Sequence, residues 1–400
     1  MKNFKYRAMK SDGTKVEGRF EANSKADVMN MITTSGYYPL MVEEVIESKQ
    51  IEFKLFERVT TKDLAIFCRQ FYTMLNAGVS ITNAISILSN ELPNKKLREI
   101  LSDIEDDIKK GETLSESMAR HKKYFPQLLI SMVESGEISG NIDEMMLRMS
   151  VHFEKEYKLN NKVKSAMTYP SVLSVVAVGA VMFIMTFVMP TFVDMFEEEG
   201  ITLPMITRAM LGASKFLSNN LIFILIFIAM LVVVFNAYKK TPNGIVVMSK
   251  LKLSLPVLGT LNKKIIVSRF TRTLSTLLSA GVSLVHALPT VAGVLENKIA
   301  EDAILKIRER VVRGDGLSSP IRENDIFPKM LSSMIKIGEE SGSLDDILNK
   351  TADFYDDEVE QAIQTATSLI EPLLIVVMGI VIGTMIISIM LPMFDMYSQM

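Results

Sequence analysis

The sequence predicts a mainly α-helical integral membrane protein with two repeated six-helix cytoplasmic bundles, three transmembrane helices and a small N-terminal α/β module. Three observations predict it. Uncharged apolar runs occupy Ser165 to Val193, Phe216 to Tyr238 and Pro372 to Phe394. At about 1.5 Å of rise per residue, each is long enough to cross a hydrocarbon layer of roughly 30 Å. Helical periodicity fills the stretches before the first and third runs. A long segment also occurs twice. Gly136-Glu137-Ile138-Ser139-Gly140 leads through a charged helical stretch to Tyr169-Pro170 and an apolar run ending at Pro190. Gly338-Glu339-Glu340-Ser341-Gly342 leads in the same way to Glu371-Pro372 and a run ending at Pro392.

Composition agrees with a chain partly dissolved in lipid, since 48% of its 400 residues are apolar and the mean hydropathy is +0.24. A net charge of −2 argues against non-specific nucleic-acid binding. Cys68 is the sole cysteine, so it has no thiol partner for a disulfide or a metal site, and a small core residue in a reducing compartment is expected. The first forty residues are charged and broken by Asp12-Gly13 and Gly18, unlike a signal peptide, so the N-terminus is expected in the cytoplasm.

Taken in order, residues 1–46 form the small module. Phe4, Tyr6 and Ala8 alternate, Ser11-Asp12-Gly13 turns, and Val16, Phe20 and Ala22 continue the alternation, which describes a hairpin. Ser24 and Asp27 resemble a capping box for a helix that Gly36 ends, and Tyr37 to Val45 returns as a strand. Residues 47–60 read as a linker. From 61 to 164 the pattern is helical. Asp63 is expected to open the first helix and Asn76-Ala77-Gly78 to end it. Ser80 or Thr82 opens the second, which Pro93 stops, and Leu97 to Ile108 makes the third, capped by Gly111. Short helices follow at Thr113 to Arg120 and Pro126 to Glu134, and a long one begins near Asn141.

The first span is expected at 170–190, an extracytoplasmic loop at 191–215 and the second span at 216–238. A cytoplasmic connection follows at 239–264, then the second bundle at 265–371, the third span at 372–392 and an extracytoplasmic tail at 393–400. Loop charge gives this orientation. Lys155, Lys158, Lys162 and Lys164 precede the first span, and Lys239, Lys240, Lys250 and Lys252 follow the second, so both flanks are placed inside. The acidic approach to the third span (Asp353, Asp356, Asp357, Glu358, Glu360) lends no such support, so the C-terminus is placed outside by span count alone.

The second bundle repeats the first. Phe67 to Ile81 matches Phe270 to Leu284 at an offset of 203, with Arg69 on Arg272 and an identical Ala-Gly-Val-Ser. After one deletion the offset is 202, and Gly136, Glu137, Gly140, Pro170 and Pro190 fall on Gly338, Glu339, Gly342, Pro372 and Pro392. The middle span then returns the second bundle to the cytoplasmic side.

No catalytic constellation is visible. His121, His152 and His286 are scattered, and phosphate-loop, dinucleotide-fold and nucleophile-elbow motifs are all missing. The Gly-Glu-x-Ser-Gly segments have two readings. In one they are turns, with the first glycine ending a helix, Ser139 or Ser341 satisfying free amides, and Asn141 or Ser343 capping the next helix. In the other, Glu137 and Glu339 form an acidic docking surface or a cation site. Arg69 and Arg272, among apolar neighbours, are expected to find internal carboxylates or else to contact a cytoplasmic partner. Glu371, at the membrane boundary where the first copy has Tyr169, is either an interfacial residue or a contact to a partner's transmembrane helix. Gly179 and the Gly379/Gly383 pair predict close helix packing within the membrane.

These residues together resemble the inner-membrane platform family of type IV pilus and type II secretion machines, over nearly the whole chain. The resemblance rests on Tyr6-Arg7-Ala8 with Asp12-Gly13, the two Arg-x5-Leu-x-Ala-Gly-Val-Ser segments, the two Gly-Glu-x-Ser-Gly segments, Lys162 to Pro170, Leu255-Pro256-Val257-Leu258-Gly259 and Glu371-Pro372. It implies a non-enzymatic scaffold without cofactors in the bacterial inner membrane, serving a pilus or, alternatively, a secretion or competence pseudopilus. The partners it implies are a hexameric assembly or retraction ATPase on the cytoplasmic side, pilin or pseudopilin transmembrane helices, other inner-membrane assembly proteins, and further copies of the chain in a homo-oligomer. A small membrane transporter is a remote alternative, which would need more spans and discontinuous helices with polar midplane residues.

Overall fold

The computed structural model describes residues 2–10, 14–22, 24–44, 58–198 and 204–399. It divides into two units, Met1–Arg58 and Val59–Met400.

In the first unit, β1 (Lys2–Met9), β2 (Lys15–Ala22), α1 (Lys25–Thr34) and β3 (Tyr38–Glu44) follow in order. The antiparallel sheet runs β2-β1-β3, and its register pairs Phe4 with Phe20 and Ala8 with Val16. Alternation puts Phe4 and Ala8 on one face of β1, where they bury against Val28 and Ile32 of α1 and Val42 of β3. Ser24 and Asp27 close a reciprocal capping box at 3.3 and 3.0 Å. The expected turn at 11–13 and most of the expected linker at 47–60 lie outside the described residues.

The second unit begins with α2 (Thr61–Asn76), α3 (Ile81–Glu91), α4 (Lys95–Lys109), α5 (Leu114–Arg120), α6 (Gln127–Ser139) and α7 (Ile142–Phe183). Asp63 does not open α2. Thr60 is the N-cap, and Asp63 is its partner in a second capping box. Ser80, Asn94 and Thr113 cap the next three helices through their side-chain oxygens. Beyond α7, one turn of π-helix (Ile184–Val188) leads without a break into α8 (Met189–Glu198). Then come α9 (Met205–Tyr238) and α10 (Pro242–Ser254), followed by α11 (Leu258–Ser279), α12 (Leu284–Val294), α13 (Lys298–Val312), α14 (Ser318–Arg322), α15 (Lys329–Ser341) and α16 (Leu344–Gln399). Helix lengths recur in order: α3 and α12 have 11 residues, α4 and α13 have 15, and α6 and α15 have 13. Helices α2–α7 and α11–α16 are therefore two sets of six in the same sequence, and their buried apolar side chains join in one continuous core.

Several boundaries differ from expectation. Tyr169-Pro170 and Glu371-Pro372 do not interrupt a helix: α7 and α16 run straight through them. A proline removes one backbone bond, but among apolar surroundings no water replaces the rest of the ladder, so the helix persists around it. The region expected as a loop at 191–215 is helical at 191–198 and 205–215, with 199–203 outside the described residues. The expected second span is not one straight helix from 216. Asn220 leaves helical geometry (φ −116°, ψ 16°), and the arms Met205–Asn220 and Ile222–Tyr238 meet at 77°. The expected connection at 239–264 is mostly helix α10 and the start of α11, and the expected tail from 393 continues α16 through 399.

Among the described residues, two helices can cross a membrane by length and composition, Ile142–Phe192 and Leu344–Pro392, or up to four if each bent pair counts as one span. Their apolar stretches are bare. Val175, Phe187, Phe223, Phe227, Leu373 and Ile380 are each more than half exposed, a continuous apolar surface that water would not tolerate.

Candidate functional site: the charged junction between the two helix sets

The Gly-Glu-x-Ser-Gly segments are not turns at their first glycine. Gly136 and Gly338 lie inside α6 and α15, buried where the next helix crosses, and a Cβ on either would stand 2.9 Å from the Cα of Ile142 or Leu344. The chain reverses at the second glycine, Gly140 (φ 75°) and Gly342 (φ 68°), in the left-handed region that costs glycine little. The serines do not satisfy free amides. Ser139 Oγ donates to the Ser135 carbonyl, Ser341 Oγ to that of Gly338, and Asn141 makes no side-chain cap.

The glutamates do that work for a different helix. Glu137 accepts from the backbone N–H groups of Leu114 (2.6 Å) and Ser115 (3.2 Å) and from the Ser115 hydroxyl. Glu339 accepts from Leu317 N–H and from Ser318 N–H at 3.3 Å. Each carboxylate thus closes the positive N-terminal end of the short helix beside it. This geometry accounts for a glutamate at both positions, and the sequence signal for it was the Leu-Ser pair that also recurs, Leu114-Ser115 and Leu317-Ser318. Among the described residues no group of three or more His, Cys, Asp or Glu is placed to hold a metal ion.

Arg69 and Arg272 both reach carboxylates on the long helix of their own set, at positions equivalent in the repeat. Arg69 Nη2 lies 3.3 Å from Glu154, with both side chains nearly half exposed. Arg272 Nη2 lies 2.5 Å from Asp356 and 2.9 Å from Asp353, and its side chain is only 10% exposed. The difference in burial arises because α7 of the first set lies across α11 of the second. Arg269 bridges that crossing: it donates to Asn160 (3.2 Å), pairs with Glu296 (2.7 Å) and stands 4.0 Å from Glu156. His152 is buried beside both arginines, and His152 Nδ1, Arg269 Nε and Arg272 Nε have no hydrogen-bond partner.

Burial and the two guanidiniums push the His152 pKa down to about 4, so the imidazole is neutral. Burial raises that of Glu156 despite Arg269 nearby. Partial burial would raise Asp353 too, but hydrogen bonds from Lys155 and Arg272 outweigh it and hold the carboxyl below its usual range. A cleft of about 330 Å³ opens here, lined by Arg148, His152, Lys155, Arg272, Thr276 and Asn349.

Towards the apolar ends, α7 and α16 are laced by opposite charges. Lys155 bonds Asp353 and Lys162 bonds Glu360, each at 2.6 Å, while Lys264 of α11 bonds Glu358 at 2.6 Å. Below the charges, Leu159, Val163 and Ala166 of α7 pack with Val359 and Ile363 of α16. Tyr169 Oη donates to Glu371 at 3.3 Å, so these two repeat-equivalent residues meet each other where the helices become apolar. Sequence reasoning singled out Arg69, Arg272, Tyr169 and Glu371 but missed His152, Glu156, Arg269, Asp353 and Asp356. The available signal was the acidic approach of the second copy set against the basic approach of the first: the two are complementary and face each other.

The expected packing on Gly179, Gly379 and Gly383 is not made within the chain, since a Cβ on any of them would meet nothing within 4 Å. The far ends of the long helices are instead tied by α9. Thr207 Oγ1 donates to the Ser388 carbonyl at 2.7 Å, and Ser214 Oγ donates to the Met185 carbonyl in the π-turn. The wide turn offers that carbonyl sideways. The charged junction also takes in Ser268, whose hydroxyl donates to Asp356. It is an ionic lock that fixes one long helix against the other.

Comparison with known proteins supplies what geometry does not. The chain matches the family described as type II secretion system (T2SS), protein F, twice, over residues 67–190 and 270–392. It matches the N-terminal domain of type II secretion system protein F over residues 1–43. It is 37% identical to the type IV pilus assembly protein PilC of Thermus thermophilus, covering 98% of this chain and 97% of that one. It is 34% identical to PilC of Myxococcus xanthus, covering 98% and 94%. It is 32% identical to the type II secretion system protein F of Aeromonas hydrophila, covering 94% and 98%.

Proposed function

The chain belongs to the type II secretion system protein F family, and from that premise we propose that it is a non-enzymatic platform of the bacterial inner membrane, coupling a cytoplasmic assembly ATPase to the insertion of pilin subunits into a type IV pilus-like filament. The observation that carries this reading is the continuity of α7 and α16. Each starts inside a packed helix set, passes through the charged junction and becomes a bare apolar rod without a break. A displacement of either helix set is therefore delivered directly into the apolar region.

In this reading, residues 61–164 and 265–371 are cytoplasmic bundles, with spans at 170–190, 216–238 and 372–392, an inner N-terminus and an outer C-terminus. The lysines flanking the first two spans support that orientation. Names of relatives favour a pilus, while the 32% identity to a secretion protein keeps a pseudopilus as the second reading.

The test is binding of the full chain, reconstituted in lipid nanodiscs, to a pilus-assembly ATPase of the same organism. Binding that depends on the nucleotide state is expected. No binding in any nucleotide state would sink the coupling role, and nucleotide hydrolysis by the chain alone would overturn the non-enzymatic one.

A further inference from the structure

Where α7 turns apolar it borders a second cleft, of about 260 Å³, walled on its other sides by α10, α11 and the corner between α12 and α13. Two cations from different helices line it, Lys164 of α7 and Lys252 of α10. Lys164 is the last charge before the uncharged run that opens at Ser165. Asn262 of α11 holds the end of α10 in place, donating to the carbonyls of Lys252 (3.2 Å) and Leu258 (2.8 Å). Other lysines on α7 and α11 are neutralised within the chain, since Lys155, Lys162 and Lys264 each bond an acid. Among the described residues, Lys164 and Lys252 bond none. One carboxylate lines the cleft, that of Glu296, whose backbone takes a left-handed φ of 50° and whose side chain pairs with Arg269 at 2.7 Å. Those two charges cancel, and the cleft keeps the charge of its two lysines.

Resting on the membrane placement given above, we propose that this cleft binds the phosphate of an acidic phospholipid of the cytoplasmic leaflet, with Lys164 and Lys252 on the headgroup and α7 supporting an acyl chain. The cleft is amphipathic in the way such a ligand requires. Leu159, Val163 and Met167, about one turn apart on α7, form an apolar wall that runs beside the lysines towards the bare part of that helix. A water-soluble anion would leave this wall uncovered, whereas a lipid covers it. A zwitterionic headgroup brings an ammonium that the two lysines repel, so the site selects an acidic one. The level is right as well. Helix α10 begins just beyond Tyr238, where the second arm of α9 ends, and leaves Val246, Val247 and Leu251 about half exposed. That face suits the boundary between headgroups and acyl chains, with Lys250 and Lys252 reaching the phosphates. A bound headgroup ties the first long helix to the corner from which the second helix set starts.

Thermal melting of the full chain in a neutral detergent, with one lipid added at a time, tests this. Phosphatidylglycerol should raise Tm by on the order of 2 °C. Phosphatidylcholine, or inorganic phosphate at the same concentration, should leave it unchanged. Lys164→Gln/Lys252→Gln should remove most of the rise. Lys239→Gln/Lys250→Gln, which takes the same charge from residues outside the cleft, should keep it. All four lysines are exposed, so neither pair endangers the fold. The site is overturned by no rise with phosphatidylglycerol, by an equal rise with phosphatidylcholine, by a rise with inorganic phosphate alone, or by equal losses in the two double variants. None of these outcomes depends on ATPase binding, so a failed lipid site and a failed coupling role are told apart.

Discussion

Arg69 and Arg272 occupy one position of the repeat in two environments, and burial decides their worth. Arg272 is nearly enclosed, but Asp353 and Asp356 reach solvent and keep Lys155 and Ser268 as partners, so Arg272→Ala loses two charged hydrogen bonds and should cost about 1.5–3 kcal/mol. Arg69→Ala breaks a half-exposed pair and should cost less than about 1 kcal/mol. Denaturant titration of the two variants in the same detergent measures the contrast. His152 makes a pH prediction. The folded state binds its proton only near pH 4, while the unfolded chain does so near 6.5. Its contribution is therefore complete above about pH 6.5 and is lost as the pH falls towards 4, by at most roughly 1.4 kcal/mol per pH unit. Glu156, raised by burial, works in the opposite sense, favouring the folded state at low pH and losing that as pH rises through its folded value. His152→Phe, which adopts the residue of the equivalent position and sacrifices no hydrogen bond, should leave Tm at pH 7 unchanged or higher and flatten its fall between pH 6.5 and 5. An unchanged acid slope would show that His152 does not titrate this junction. The need for internal carboxylates was legible in the sequence at Arg69 and Arg272. Which carboxylates they find was not, because a pairing across 81 to 85 residues is set by tertiary packing.

At the scale of elements, the caps and turn glycines were readable because their chemistry is local. Ser24, Ser80 and Gly140 act within four residues of themselves. Reading Gly136 as the end of a helix failed for the complementary reason: what demands a glycine there is the backbone of Ile142, which approaches only after the chain has turned. The distinction can be measured. Gly136→Ala places a methyl group 2.9 Å from backbone that cannot yield, and a loss of about 1–3 kcal/mol is expected. Gly179→Ala meets nothing and improves helix propensity, so the isolated chain should keep or slightly raise its Tm. Equal losses at both positions would remove the close crossing of α6 and α7 as the cause. Between α10 and α11 the chain turns through 107°. Val257 there holds φ 65° and ψ −58°, with Leu258 N–H bonded to the Pro256 carbonyl at 2.7 Å. That γ-turn is strained for a β-branched residue. Sequence patterning registered Leu255 to Gly259 only as a motif, since left-handed valine has no compositional signal.

Across the whole molecule, the duplication was legible and its divergence was the informative part. The lysines of α7 and the acids of α16 arose at corresponding places in the two copies and now hold the copies together. Reversing one charge, Lys162→Glu, should destabilise the full chain by less than about 1 kcal/mol, and adding Glu360→Lys should restore most of that. Additive losses in that double-mutant cycle would mean the pair is incidental. The single π-turn at 184–188 has a further consequence, which concerns phase. A π-turn takes up about one residue more than an α-turn, so everything beyond it is rotated by roughly 100° relative to an unbroken helix. The first long helix has this slip; α16 has none among its described residues. Pro190 and Pro392 therefore match in the sequence count yet point around their helix axes in different directions. The two rods are copies on the charged side and distinct threads on the apolar side, so two identical ligands could not be gripped alike by both.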